Sequence, residues 1–227
     1  MPKLRLVSLQ VGKPKTVIYQ GKDIQTGIDK AAVTVPLFLS TVNFEGDAQA
    51  DLVNHGGPDK AVNAYCAEHY PYWERELQRQ LARGAFGENV TLEQMTEDTV
   101  CIGDIFRLGE AVVQVSQPRQ PCYKLAGKHN VPDLPLKVQQ TGFTGYYFRV
   151  LEPGLVPPQG DIRLLERHPA GITIAFANRI KYVDKRNRAA IERLLGLKEL
   201  AASWRDSFAR SSPNSKCERW DGACRSN

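Results

Sequence analysis

The sequence predicts a mainly β (α+β) fold: a β-barrel with flanking helices, followed by a small three-helix region. Three observations carry this. Short apolar or alternating runs broken by Gly and Pro fill the first 165 residues, as in a barrel rather than a doubly wound parallel sheet. A cluster of Pro153, Gly154, Pro157, Pro158 and Gly160 then marks a boundary. Beyond it the apolar spacing becomes helical.

The strand candidates run in order. Lys3 to Leu9 alternates, and Ile18-Tyr19 precedes a turn at Gly21. Ala61 to Tyr65 and Asn89 to Leu92 are short apolar strands. Asp104 to Leu108 and Ala111 to Val115 flank Gly109-Glu110 as a tight hairpin. Gly145 to Leu151 is aromatic and β-branched. Helices are expected over Glu68 to Arg83, Cys122 to His129 and Pro135 to Gln140. The C-terminal helices are Thr173 to Val183, Lys185 to Leu195 and Leu200 to Phe208, with Thr173 capping the first and Asp184 the second. The expected organisation is a barrel over 1–163, three helices over 164–212 and a polar tail over 213–227. Fewer than 50 helical residues are too few to fold alone, so the helices are expected to dock on the barrel.

The chain has 227 residues, 42% hydrophobic and 24% charged, the composition of a globular protein. No apolar run reaches the length of a membrane span, and the N-terminus has no signal-like apolar stretch. Five scattered cysteines with no CxxC pair predict reduced thiols, a cytoplasmic location and no zinc site. Residues 1–165 hold 17 basic and 18 acidic residues, whereas 166–212 hold 10 and 5. The basic excess therefore sits in one short segment, which points to an acidic partner there and not to a nucleic-acid-coating protein. A solvated charged face is the alternative.

Cys122 is the leading chemical candidate. It ends Gln117-Pro118-Arg119-Gln120-Pro121-Cys122, where two prolines stiffen the backbone leading to the sulfur. Arg119 and Lys124 flank it with positive charge, which favours thiolate, as a nucleophile or soft-metal ligand requires. A buried small hydrophobe is the alternative. The second candidate is Asn54-His55-Gly56-Gly57-Pro58-Asp59-Lys60, a glycine turn with a cation at its exit, suited to an anion. It lacks the P-loop spacing, and a plain Gly-Pro turn explains it equally well. The third is Gly87-Glu88-Asn89, whose carboxylate and amide can meet the amidine edge of a pterin or purine. An ordinary turn entering a strand is the simpler account. No Ser/His/Asp spacing, HExxH or GxGxxG supports a hydrolase or dinucleotide enzyme.

Together, HGGPDKA, FGENV, CIGD and QPRQPC resemble the MOSC domain, which is shared by molybdenum-cofactor sulfurases and mitochondrial amidoxime reducers. The match runs over roughly residues 20–163, and the three-helix end resembles the YiiM-type subfamily to about residue 210. The resemblance implies a barrel that binds a molybdopterin-type molybdenum cofactor, with Cys122 as catalytic residue and metal ligand. It implies reduction of N-hydroxylated compounds such as 6-N-hydroxylaminopurine. Lys60, Arg119, Lys124 and the Gly56-Gly57 backbone would hold the cofactor phosphate. Asn54, His55, Asp59, Glu88 and Asn89 would contact the pterin or deliver protons. An acidic flavin or iron–sulfur electron donor would dock on the basic helices. A non-catalytic cofactor carrier, or a sulfur-handling module with a persulfide on Cys122, is the alternative within this resemblance.

Overall fold

A computed structural model describes residues 3–50 and 56–211. The chain forms β1 (Arg5–Val11), β2 (Lys15–Tyr19), β3 (Lys22–Thr26), β4 (Ala31–Ala32), β5 (Leu37–Leu39) and β6 (Val62–Cys66). It continues with α1 (Tyr70–Glu76), β7 (Val90–Glu93), β8 (Ile105–Leu108), β9 (Ala111–Pro118), α2 (Tyr123–His129) and α3 (Leu134–Thr141). It ends with β10 (Tyr146–Glu152), β11 (Gly154–Val156), β12 (Gly160–Glu166), α4 (Ile174–Tyr182), α5 (Arg188–Leu195) and α6 (Ala202–Ser211).

Seven strands, in the order β12-β8-β9-β10-β6-β7-β1, close into a barrel because β12 also pairs with β1. All neighbours are antiparallel except β6 and β7. Closure removes the free sheet edges that would otherwise invite aggregation. Leu6, Leu9, Val90, Leu92, Phe106, Val113, Val115, Tyr146 and Phe148 fill the interior. β2 and β3 stand apart as a ribbon, turning at Gln20 and Gly21, both with positive φ. Among the described residues no helix is long and apolar enough to cross a membrane.

The three C-terminal helices share the barrel's core. Ile174, Ala177, Ile180, Ile191, Leu194, Trp204 and Phe208 belong to the same buried cluster as Phe106 and Val115. Polar ties reinforce the dock: Ala201 N–H donates to the Ser116 carbonyl at 3.0 Å, and Asn178 Nδ2 donates to Thr144 Oγ1 at 2.8 Å. The CIGD segment is part of this joint. Asp104 is fully buried and accepts the backbone N–H groups of Cys101 and His168, both at 2.9 Å, while pairing with Arg167 at 2.6 Å.

Three local expectations need correction. The Glu68–Arg83 helix is cut to α1: a 3-10 turn precedes it, Pro71 sets its first turn, and Gln78 adopts positive φ just after its end. Thr173 caps α4 by accepting from Phe176 N–H, but Asn187, not Asp184, caps α5 by accepting from Ala190 N–H at 3.1 Å. The Pro153–Gly160 stretch is not a bare boundary. It contains β11 and the start of β12, and the prolines fall between strands where no ladder donor is lost. The expectations for the tail over 213–227, and for Cys217 and Cys224, fall outside the described residues.

One shared core predicts one cooperative transition. Trp204→Ala removes a fully buried side chain at the joint and should lower the unfolding free energy by about 3–5 kcal/mol. Urea denaturation read by circular dichroism and by fluorescence should give coincident, shifted curves.

Candidate functional site

The site begins where β9 leaves the barrel. Pro118 pairs with Tyr146 of β10, and Arg119 N–H then donates to the Gly145 carbonyl at 3.0 Å. Gln120 and Pro121 lead to Cys122, which is extended at φ −121°, ψ 166° and caps α2, its carbonyl accepting Leu125 N–H at 3.0 Å. The stiff approach predicted from the two prolines therefore ends at a helix start. Cys122 is half-buried, whereas Cys66 and Cys101 are buried.

α2 is held on three sides. Leu125 enters an aromatic cluster with Tyr65, Trp73 and Phe86. Gly127 lies so close to the Tyr19 ring of the ribbon that an added Cβ would sit 3.2 Å from it. His129 Nδ1 accepts from Arg79 Nη2 at 2.6 Å, and its Nε2–H donates to the Ala85 carbonyl at 2.8 Å. Burial pulls the His129 imidazole below its ordinary value; the Ala85 bond raises it, and the Arg79 and Lys128 cations lower it. Lys128 donates to the Gly84 carbonyl at 2.6 Å and the Ile28 carbonyl at 3.1 Å, tying α2 to the opposite wall.

Cys122 lines a cleft that opens to solvent. Lys60, Asn89, Arg119 and Lys124, all predicted from sequence, line it too. Lys30, Asn63 and Tyr147 join them without having been predicted. Arg119 is only 4% exposed, and among the described residues its buried Nη1 finds no hydrogen-bond partner. Asn63 Oδ1 is likewise buried and without a partner among them, while its Nδ2 donates to the Gly87 carbonyl at 3.1 Å. One orphan donor and one orphan acceptor thus border the same cleft. Burial pushes the Tyr147 hydroxyl up; the Arg119 cation pulls it down and Cys122 pushes it up again, so these three groups share one environment. Lys30 is ion-paired with Asp47, and burial lowers its ammonium against that pairing. The cleft can bind an anion with a hydrogen-bonding ring beside a thiol.

Glu88, Asp59, Gly56 and Gly57 sit outside the lining, and Asn89 is engaged by the fold. Glu88 does not line the cleft. Its buried carboxylate accepts from Tyr70 Oη, from Gly84 and Phe86 N–H, and from Thr91 Oγ1. It organises the cleft's back wall, with both oxygens already accepting from the fold. Asn89 borders the cleft, but its Nδ2 donates to Asp47 and its Oδ1 accepts from Asn63 N–H. Asp59 pairs with Arg149 at 2.7 Å, and its carbonyl accepts from Ser116 Oγ at 2.6 Å, outside the lining. Gly57 adopts φ 94°, which explains the glycine by backbone conformation, and neither it nor Gly56 lines the cleft. Asn54 and His55 lie outside the described residues.

A second cleft adjoins the first, sharing Thr26, Ile28 and Lys124 as walls and lying between the ribbon and α2. A separate cluster, Cys66, His69 and Glu97, is buried within the molecule. Its polar atoms are partnered internally: His69 Nε2 meets Glu97 Oε2 at 2.6 Å, Glu97 Oε1 accepts Gly145 N–H at 2.7 Å, and Cys66 Sγ donates to the Met95 carbonyl. Burial and the Glu97 charge push the Cys66 thiol well up, so it is an inert core group and not a nucleophile.

Comparison with known proteins fits this geometry. Residues 51–163 match the MOSC domain, and residues 172–210 match the YiiM-like 3-alpha helix domain. This chain belongs to the MOSC family. YflK of Bacillus subtilis is 59% identical over 90% of this chain and 93% of its own. YiiM of Escherichia coli is 38% identical over 85% and 87%. A Gibberella moniliformis protein named a reductase is 38% identical over 65% of this chain but 27% of its own length. The crystal structure of YiiM from Geobacillus stearothermophilus superposes with a TM-score of 0.79 at 43% identity, covering 92% of this chain and 98% of that one. The β-barrel and the three-helix end are thus a known pair.

Two outcomes follow. His129 is depressed in the fold, so its contribution is complete above the unfolded value near pH 6.5 and is lost as pH falls through the folded value. Urea midpoints should fall on acidification below that point, and His129→Gln should flatten the slope. Arg119→Met removes a buried cation with an orphan nitrogen, so it should unfold at the same or higher urea concentration. Its affinity for inorganic phosphate should drop about tenfold or more by calorimetry, about 1.4 kcal/mol.

Proposed function

We propose that this protein is a molybdenum-cofactor-dependent reductase of N-hydroxylated compounds, with Cys122 as the protein ligand to the metal. The observation that carries the reading is the orphan pair in the cleft. Arg119 Nη1 offers a buried donor suited to a phosphate, and Asn63 Oδ1 offers an acceptor suited to a pterin N–H, both in the cleft lined by Cys122. Lys60 and Lys124 add positive charge on the walls. The relative named a reductase supports the reaction class, and MOSC membership supports the cofactor class.

When bound, the cofactor supplies two-electron chemistry at a metal that accepts a soft thiolate. The residues of this chain do the rest. Cys122 offers its thiolate from a stiff loop, while Arg119, Asn63 and Lys60 orient the phosphate and ring. Tyr147 lies beside Arg119 and Cys122 and can pass a proton. The net change is R–NHOH plus two electrons and two protons giving R–NH2 and water. The buried thiols Cys66 and Cys101 suit a reducing cytoplasm.

Protein made in a cofactor-competent host tests this. Cys122→Ala should lose molybdenum by elemental analysis and dithionite-driven reduction of 6-N-hydroxylaminopurine, while its thermal midpoint stays unchanged. Losing a ligand should cost more than the roughly 10–100-fold effect of losing an outer partner. Unchanged metal content and turnover in the variant would refute the assignment. A non-catalytic carrier would bind cofactor and reduce nothing.

A further inference from the structure

The proposed reduction consumes two electrons, and they must come from a donor that reaches the Cys122 cleft. We propose that the corner between α4 and α5 is the docking surface for a small acidic electron-carrier protein. The inference rests on the reductase reading above.

Position is the first argument. α4 packs against β9, the strand that leads into the Cys122 loop, and it ends at Tyr182. Burial pushes the Tyr182 hydroxyl up to about 12, while the Arg119 cation and Gln120 pull it back, as neighbours of that loop would. The next residue turns outward: Val183 is 77% exposed. A surface at Val183 therefore lies at the end of the helix that packs on the strand leading to Cys122.

Charge is the second argument. Lys185, Arg186 and Arg188 follow Val183, all exposed, and among the described residues they form no salt bridge. Lys181 lies underneath, bonded to Ser207 Oγ. Burial lowers its ammonium first, and Arg210 and Lys185 lower it further, so the cations crowd in space as well as in sequence. The nearby carboxylates offset them only in part: Asp184 is half-buried and accepts from Asn187 Nδ2 at 2.8 Å, and Glu192 lies one helical turn from Arg188, which leaves four cations against two acids over residues 181–192. A net excess of cations on one exposed turn raises the local positive potential, which steers an acidic partner toward it. Such an interface forms quickly and releases quickly, as repeated electron delivery requires.

The test uses two reductants on the full chain: dithionite, which needs no docking, and an acidic flavodoxin kept reduced by its own reductase. The variant carries Lys185→Glu, Arg186→Glu and Arg188→Glu, none of which lines the cleft. Dithionite-driven turnover should be unchanged. Flavodoxin-driven kcat/KM should fall about tenfold or more, and the wild-type flavodoxin rate alone should fall steeply with added salt. Equal rates for variant and wild type with flavodoxin would overturn the surface, as would an equal fall with both reductants. If dithionite drives no reduction in wild type, the reductase reading fails by itself. Flavodoxin binding by interferometry then decides the surface: binding lost in the variant supports it, and absent or unchanged binding overturns it. Tight binding of duplex DNA to wild type in place of flavodoxin would also overturn it.

Discussion

The register of three adjacent strands governs this molecule. β9, β10 and β6 place Gln117, Tyr147 and Asn63 in one row across the sheet. Asn63 and Asn89 then exchange bonds, Asn89 N–H to the Asn63 carbonyl at 2.7 Å and Asn63 N–H to Asn89 Oδ1 at 3.1 Å. The floor of the cleft is therefore a line of backbone pairings. A slip by one residue would turn Tyr147 and Asn63 to the other face and move the exit point of the Cys122 loop. Barrel closure guards against that slip, because every strand in the ring is held on both sides.

This arrangement accounts for what could be read from the sequence. Cys122, Arg119 and Lys124 lie within six residues, and the prolines and charges around them announce a shaped loop. Lys60 was legible for the same reason, at the exit of a glycine turn. Asn63, Tyr147 and Lys30 carried no local signal. Two are strand residues amid apolar neighbours and the third follows a hairpin, so only long-range pairing brings them to the thiol. Glu88 misled in the opposite direction. A carboxylate beside a glycine looks available, yet its acceptors are taken by backbone two and four residues away and by Tyr70, 18 residues back. Asn187 displaced Asp184 as a cap because the turn after α4 runs further than apolar spacing suggests.

Stability and binding pull apart at Arg119. A guanidinium with a buried, unpartnered nitrogen is a cost to the folded chain. The buried Glu88 carboxylate, by contrast, has every acceptor oxygen engaged and serves the fold. The two groups lie on opposite sides of one distinction: a satisfied buried charge organises structure, and an unsatisfied one is a cost that the rest of the fold must offset.

The β2–β3 ribbon deserves a last thought because it belongs to neither the barrel nor the helices. It pairs only with itself, touches α2 through Tyr19 at Gly127, and supplies Val17 and Ile24 to the second cleft. Substitutions there alter an aperture without shifting one rung of the barrel ladder. A change of side-chain size in the ribbon is thus uncoupled from the pairing that holds the barrel closed.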